Sequence, residues 1–145
     1  MARIKLELPD QFPFRMEVPI LQSHIYRGIH LGNATLFSLI NEARIAFFES
    51  LGCSEVDVEG AGTIMSDAVV VYRAETFQGD VLRFEVTAGD FSRTGCDLFY
   101  RVTKAGTGAE VARAKTAIGF MDYATRRMVA VPPGFRNRFP EPAPR

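Results

Sequence analysis

The chain has 145 residues, 47% of them apolar and 23% charged, enough for one domain with a real core and too few for two ordinary ones. Its 17 basic side chains balance 17 acidic ones, which leaves no net field to recruit nucleic acid or an anionic membrane surface. No apolar run approaches the roughly 20 residues that span a bilayer, no secretory signal is expected at the amino end, and the two cysteines, Cys53 and Cys96, form neither a disulfide framework nor a C-x-x-C metal pair, so a reducing cytoplasm is the expected setting.

Residues 1–14 carry Pro9 and Pro13 and read as an arm. Residues 15–25 read as a first strand, with Pro19 pointing to a sheet edge. From Asn33 the period changes: Leu36, Leu39, Ile40, Ala43, Phe47 and Leu51 recur every three or four residues, one apolar stripe on a helix that Phe37 and Phe48 widen. Gly52 supplies the stop, and the helix is expected to be largely buried.

After Gly62 the chain reads as strands. The first covers 63–76 with the apolar run 68–72 and ends before the turn at Gln78-Gly79-Asp80. In the next, over 81–91, Leu82, Phe84, Val86 and Ala88 alternate with Arg83, Glu85 and Thr87. After the Arg93-Thr94-Gly95 turn, Cys96, Leu98, Tyr100 and Val102 alternate with Asp97, Phe99, Arg101 and Thr103. A turn over 104–108, a long strand over 110–122 and a short one over 128–131 complete a domain expected over 15–132. Residues 133–145 read as a proline-rich tail, disordered over 137–145. The fold class is α+β: one long central helix wrapped by a curved antiparallel sheet of five to six strands, whose open edge favours pairing with a second copy.

The stretch His30-Leu31-Gly32-Asn33-Ala34, the step Glu42-Ala43-Arg44, the stop at Leu51-Gly52, Tyr72 and the turns at 77–80 and 93–95 follow one another in an order that resembles a known family. It is similar to the 4-hydroxybenzoyl-CoA thioesterase branch of the hotdog-fold thioesterase superfamily, over about residues 16–132. The resemblance implies a hotdog fold and hydrolysis of a small or medium acyl- or aryl-CoA. It implies no cofactor beyond the coenzyme A of the substrate, and a homodimer or homotetramer with sites between subunits; the balanced charge and the lack of an apolar span point to no nucleic-acid or membrane partner, and two histidines without a third ligand point to no metal. Many members carry an aspartate four residues before the motif histidine, as base or nucleophile; that position here is Tyr26. A second acidic position, six residues before the histidine, is His24, and the usual glycine directly before it is Ile29.

Thioester hydrolysis needs a polarised carbonyl and an activated water or a nucleophile. Gly32 and Asn33 stand at the helix start, where free N–H groups can hold an oxyanion, or they are a turn residue and the N-cap. His30 either orients the thioester and relays a proton or ties the loop to the backbone. His24, at the end of the first strand, either replaces the missing acid as general base or is an ordinary strand residue. Glu42 projects on the face opposite the stripe, where it activates water in a site between subunits or is a solvated charge. Tyr26 donates a hydrogen bond to substrate or packs, and Arg73 and Arg93 meet the nucleotide end or remain solvated. Two further functions stay open: a hotdog hydratase or dehydratase, whose motifs are absent, and a non-catalytic acyl-thioester binding module that has lost its carboxylate.

Overall fold

The apolar stripe forms as α1, Asn33–Ser50, in the computed structural model, which describes residues 2–141. Leu36, Leu39, Ile40, Ala43, Phe47 and Phe48 are buried along it. The helix ends in a Schellman motif: Cys53 N–H donates to Phe48 O and Gly52 N–H to Glu49 O, both at 3.0 Å, with Gly52 at φ +76°. That left-handed turn is the stop that glycine at this position foretells.

Around α1 curls an antiparallel sheet of β1 (Phe14–Pro19), β4 (Gly62–Tyr72), β5 (Val81–Gly89), β6 (Gly95–Lys104), β7 (Glu110–Asp122) and β8 (Arg127–Met128). Its order is β1-β5-β6-β7-β4, with β8 beside β7. Leu82, Phe84 and Val86 of β5, Leu98, Tyr100 and Val102 of β6, and Ala112, Ala114 and Phe120 of β7 are fully buried, so the alternation of the sequence is the inner face of the sheet. The opposite face carries a ladder of paired charges: Arg83 with Glu17, Arg101 with Glu85 and Lys115 with Asp67. The amino-terminal arm crosses this face, with Phe12 4.6 Å under the Arg101 guanidinium and Leu6 O accepting from Arg113. One helix wrapped by one curved antiparallel sheet is the hotdog arrangement.

Two strand ends move, 63–76 being observed as Gly62–Tyr72 and 128–131 as Arg127–Met128, and two larger expectations require correction. The first strand stops at Pro19, at the sheet edge, instead of running to 25; Gln22–His24 is a 3-10 turn, followed by a small hairpin of β2 (Ile25–Tyr26) and β3 (His30–Leu31). The reversal is made by Arg27 and Gly28, both left-handed, at φ 51° and 70°. The second concerns the carboxyl-terminal residues. Pro133–Asn137 forms α2, and Phe135 and Phe139 are buried against Phe47, Phe48 and Phe120, because two aromatic rings four residues apart lie on one side of a helical turn. Met1 of the expected arm and residues 142–145 of the expected tail lie outside the described residues.

α1 also carries one buried charge. Arg44 Nε donates to Glu55 Oε1 at 2.7 Å, and the Tyr100 hydroxyl is within 2.8 Å of Thr116 Oγ1 beside it, an internal polar cluster under an apolar sheet.

Candidate active site

The geometry of the site begins with the hairpin. Tyr26 and His30 are cross-strand partners, so their side chains share one face. Gly32 follows in extended conformation, φ −67° and ψ 144°, two residues after His30 and therefore on the same side. A Cβ on Gly32 would lie 3.3 Å from Tyr26 Cβ and 3.4 Å from Thr35 Oγ1. Tyr26, His30 and the bare backbone at Gly32 thus meet at the amino tip of α1.

That tip lacks a side-chain cap among the described residues. Gly32, not Asn33, is the N-cap, and no side chain caps the helix; Asn33 is the first helical residue. Leu36 N–H is the first to find an acceptor, Gly32 O at 2.9 Å. The N–H groups of Asn33, Ala34 and Thr35 have no acceptor among the described residues, and the first turn holds no acidic side chain. Three aligned donors and the positive end of an 18-residue helix therefore point out of the fold without a side-chain cap among the described residues. Proteins usually cap such an end, at a gain of about 0.5–2 kcal/mol. An anion or a developing oxyanion is the chemistry that fits there.

The two histidines differ. His24 is not on a strand: its Nδ1 accepts the Leu21 N–H at 3.0 Å and closes the 3-10 turn, while its carbonyl accepts Gly32 N–H at 3.3 Å. With that lone pair engaged, the neutral ring carries its proton on Nε2 and offers a donor, not a base. His30 Nδ1 stands 3.5 Å from Glu75 Oε1, an ion-pair separation longer than a hydrogen bond. Glu75 lies in the connection after β4, and Leu31 N–H donates to Thr76 O at 2.8 Å, which latches that connection to β3. Thr76 is buried. Tyr72, at the end of β4, donates its hydroxyl to Asn33 O at 3.0 Å and ties the first turn of α1 to the sheet; burial pushes this phenol up.

The remaining candidates are dispersed. Tyr26 is 57% exposed, with the Arg27 guanidinium 5.4 Å from its ring centroid. Glu42 is exposed and makes no ion pair or hydrogen bond among the described residues, about 14 Å along the helix from Asn33. Arg73 is taken by Glu110 at 3.3 Å. Arg93 sits in the β5–β6 turn, at the opposite end of strands that are about 30 Å long, and so is removed from this tip within one protomer. Two concavities also lie at that far end. One, of about 400 Å³, is lined by Cys53, Asp57, Glu59 and Arg138; the other, of about 550 Å³, by Met65, Asp90, Asp97 and Met128. Neither cysteine is a nucleophile in waiting: burial raises Cys53 and pushes Cys96 up to about 12.

Glu75 and Tyr72 were not legible as partners of the tip, because each reaches it from a segment some 40 residues away in sequence. The one sequence signal near them was the end of the apolar run at 68–72, which marks where β4 delivers the chain to α1.

The comparisons agree with this architecture. The model of the thioesterase-like superfamily matches residues 24–139. No curated protein sequence matches the chain. Among solved structures, Slr0204, a 1,4-dihydroxy-2-naphthoyl-CoA thioesterase from Synechocystis, is 17% identical with TM-score 0.76, over 86% of this chain and 93% of its own. The Pseudomonas aeruginosa protein PA2801 is 19% identical with TM-score 0.79, over 88% and 98%. The Staphylococcus aureus protein SAV2348, solved in complex with CoA, is 20% identical with TM-score 0.78, over 92% and 85%. At these identities the likeness is one of fold.

Proposed function

The chain belongs to the thioesterase-like superfamily, and we propose on that premise that it hydrolyses the thioester of a small or medium acyl- or aryl-CoA, with the carbonyl held at the amino tip of α1. The observation that carries this reading is the uncapped tip itself: three free N–H donors beside a residue with no side chain. As water adds to the thioester carbon, its oxygen becomes an alkoxide, and donors already aimed at it stabilise that charge without reorganising. Each such donor is worth about 2.7–4 kcal/mol of barrier. Two structural neighbours, one a CoA-thioester hydrolase and one solved with CoA, support coenzyme A as the carrier.

The site is completed by a second copy of the chain. β4 is an edge strand, and Ile64, Met65 and Tyr72 are exposed on it. An edge strand presents a row of unpaired N–H and C=O groups that a second β4 would pair. Glu42, exposed and unpartnered on α1, would reach a substrate only in such a site. The setting we assign is cytoplasmic, consistent with two unbridged cysteines. No helix of the described residues is long and apolar enough to cross a membrane.

One observation favours a second reading. Tyr26 stands where relatives carry their carboxylate, as in a module that binds acyl thioesters without cleaving them. Release of free thiol from a panel of aryl- and medium-chain acyl-CoAs separates the two. Hydrolysis of at least one member is the expected result; saturable binding with no release from any member would leave the binding module.

A further inference from the structure

Resting on the thioester reading, the geometry points to His30 and Glu75 as a base and its positioning carboxylate, taking over the work of the acid that Tyr26 displaces. The two side chains are brought together by a backbone bond between their neighbours: Leu31 N–H donates to Thr76 O at 2.8 Å, so residue 30 and residue 75 face each other across it. The result is His30 Nδ1 3.5 Å from Glu75 Oε1. Nδ1 is buried and has no other partner among the described residues, whereas a third of the His30 side chain is exposed. A proton on Nδ1 therefore has one acceptor to point at, the Glu75 carboxylate, and this tautomer leaves the Nε2 lone pair on the outer side of the ring. His24 is oriented the other way, its Nδ1 lone pair spent on Leu21, so only one of the two imidazoles is available as a base.

His30 also has the right address. It shares its face of the hairpin with Tyr26, whose Cβ abuts Gly32 at the α1 tip. In the step we assign, Nε2 of His30 takes a proton from water as the water oxygen bonds to the thioester carbon. The carbonyl electron pair moves onto oxygen, held by the free N–H groups of α1. As the pair returns, the C–S bond breaks and the imidazolium gives its proton to the leaving thiolate, so acyl-CoA and water become carboxylic acid and free thiol. Glu75 touches no reacting atom; it holds the ring and its tautomer and stabilises the imidazolium. A separation of 3.5 Å is of the kind that closes to a hydrogen bond when substrate binds.

The test is steady-state kinetics on the folded full chain with whichever acyl-CoA it cleaves. We expect His30→Gln to lower kcat about 100-fold or more and Glu75→Gln about 10-fold with KM within about twofold. Glu75→Asp should recover part of the loss, and the double variant should be no slower than His30→Gln alone, because the carboxylate acts only through the ring. Glu75 is two-thirds exposed, so its variants should keep the wild-type Tm. Wild-type kcat in Glu75→Gln, or losses that multiply in the double variant, would overturn the pair while leaving thioester hydrolysis standing. A wild-type protein that releases no thiol overturns both. Independently of any variant, the neutral His30 ring should show the Nδ1–H tautomer by NMR; an Nε2–H tautomer would overturn the assignment.

Discussion

Gly32 has backbone angles that any residue adopts, so what glycine supplies at this position is an absent side chain. A methyl group there would meet Tyr26 Cβ and Thr35 Oγ1 at 3.3–3.4 Å, contacts that small shifts absorb, and would add bulk beside the free N–H groups. Gly32→Ala should therefore cost little stability while lowering kcat about tenfold, a loss of ~1.4 kcal/mol in transition-state binding; calorimetry together with thiol release checks both halves, and a full-rate variant would detach Gly32 from the chemistry. Acid sensitivity is set at the residue scale as well. Phe77 N–H donates to Asp80 Oδ2 at 2.9 Å and Lys104 Nζ lies 3.3 Å from the same oxygen, and the backbone bond first, then the lysine, holds Asp80 below the ordinary carboxylate range against partial burial. Glu110 is held low chiefly by its hydrogen bond from Arg113. A depressed folded-state value means stability present above the unfolded value, about 4, and lost as pH falls through the folded one. Denaturant melts should thus show stability declining below about pH 4, less steeply in Asp80→Asn; an unchanged slope would remove Asp80 from the acid limb. Asp97, raised by burial, works in the opposite sense.

At the scale of elements, α2 shows how a short segment is held by what it meets. Pro133 opens it, Phe135 N–H donates to Glu59 Oε2 at 2.9 Å, and Gly134 leaves room for that carboxylate, which a Cβ would strike at 2.3 Å. Five residues would not stay helical alone; Phe135 and Phe139, plugged into the end of the sheet where α1 finishes, hold them. Phe135→Ala should cost about 3–5 kcal/mol, read as a lower Tm, while kcat measured below that Tm stays near wild type because the tip is at the other end of α1. A large kcat loss in the still-folded variant would contradict this separation of ends. Glu55→Ala, which leaves the Arg44 guanidinium buried without its partner, should be comparably destabilising, at about 3 kcal/mol. These elements also show what the sequence made legible. α1 and β5 to β7 carry their period over nine or more residues, and that pattern fixes both their type and their buried face. The β2–β3 hairpin has strands of two residues, too short for any period, and only its Ile25 falls within the strand expected over 15–25. α2 was hidden by its prolines, although the Phe135–Phe139 spacing carried the signal. Within the site, Gly32 and the tip were legible from the switch of period at Asn33. The approach of Glu75 to His30 was not, since it depends on a backbone bond between segments 45 residues apart.

For the whole molecule, a wrapped helix, an exposed tip and a β4 sheet edge combine into one expectation: two chains and two sites. Sedimentation should give at least twice the 16.1 kDa of one chain, and specific activity should fall on dilution in step with dissociation; full activity in a 16.1 kDa species would show that one chain suffices. The central claim, that the thioester carbonyl is held at the amino tip of α1, is tested most directly by a crystal structure with a non-hydrolysable acyl-CoA ketone. The account predicts the ketone oxygen about 3 Å from the N–H groups of Asn33 to Thr35, beside His30. A ketone seated instead in either concavity at the opposite end, with the tip still empty, would contradict it.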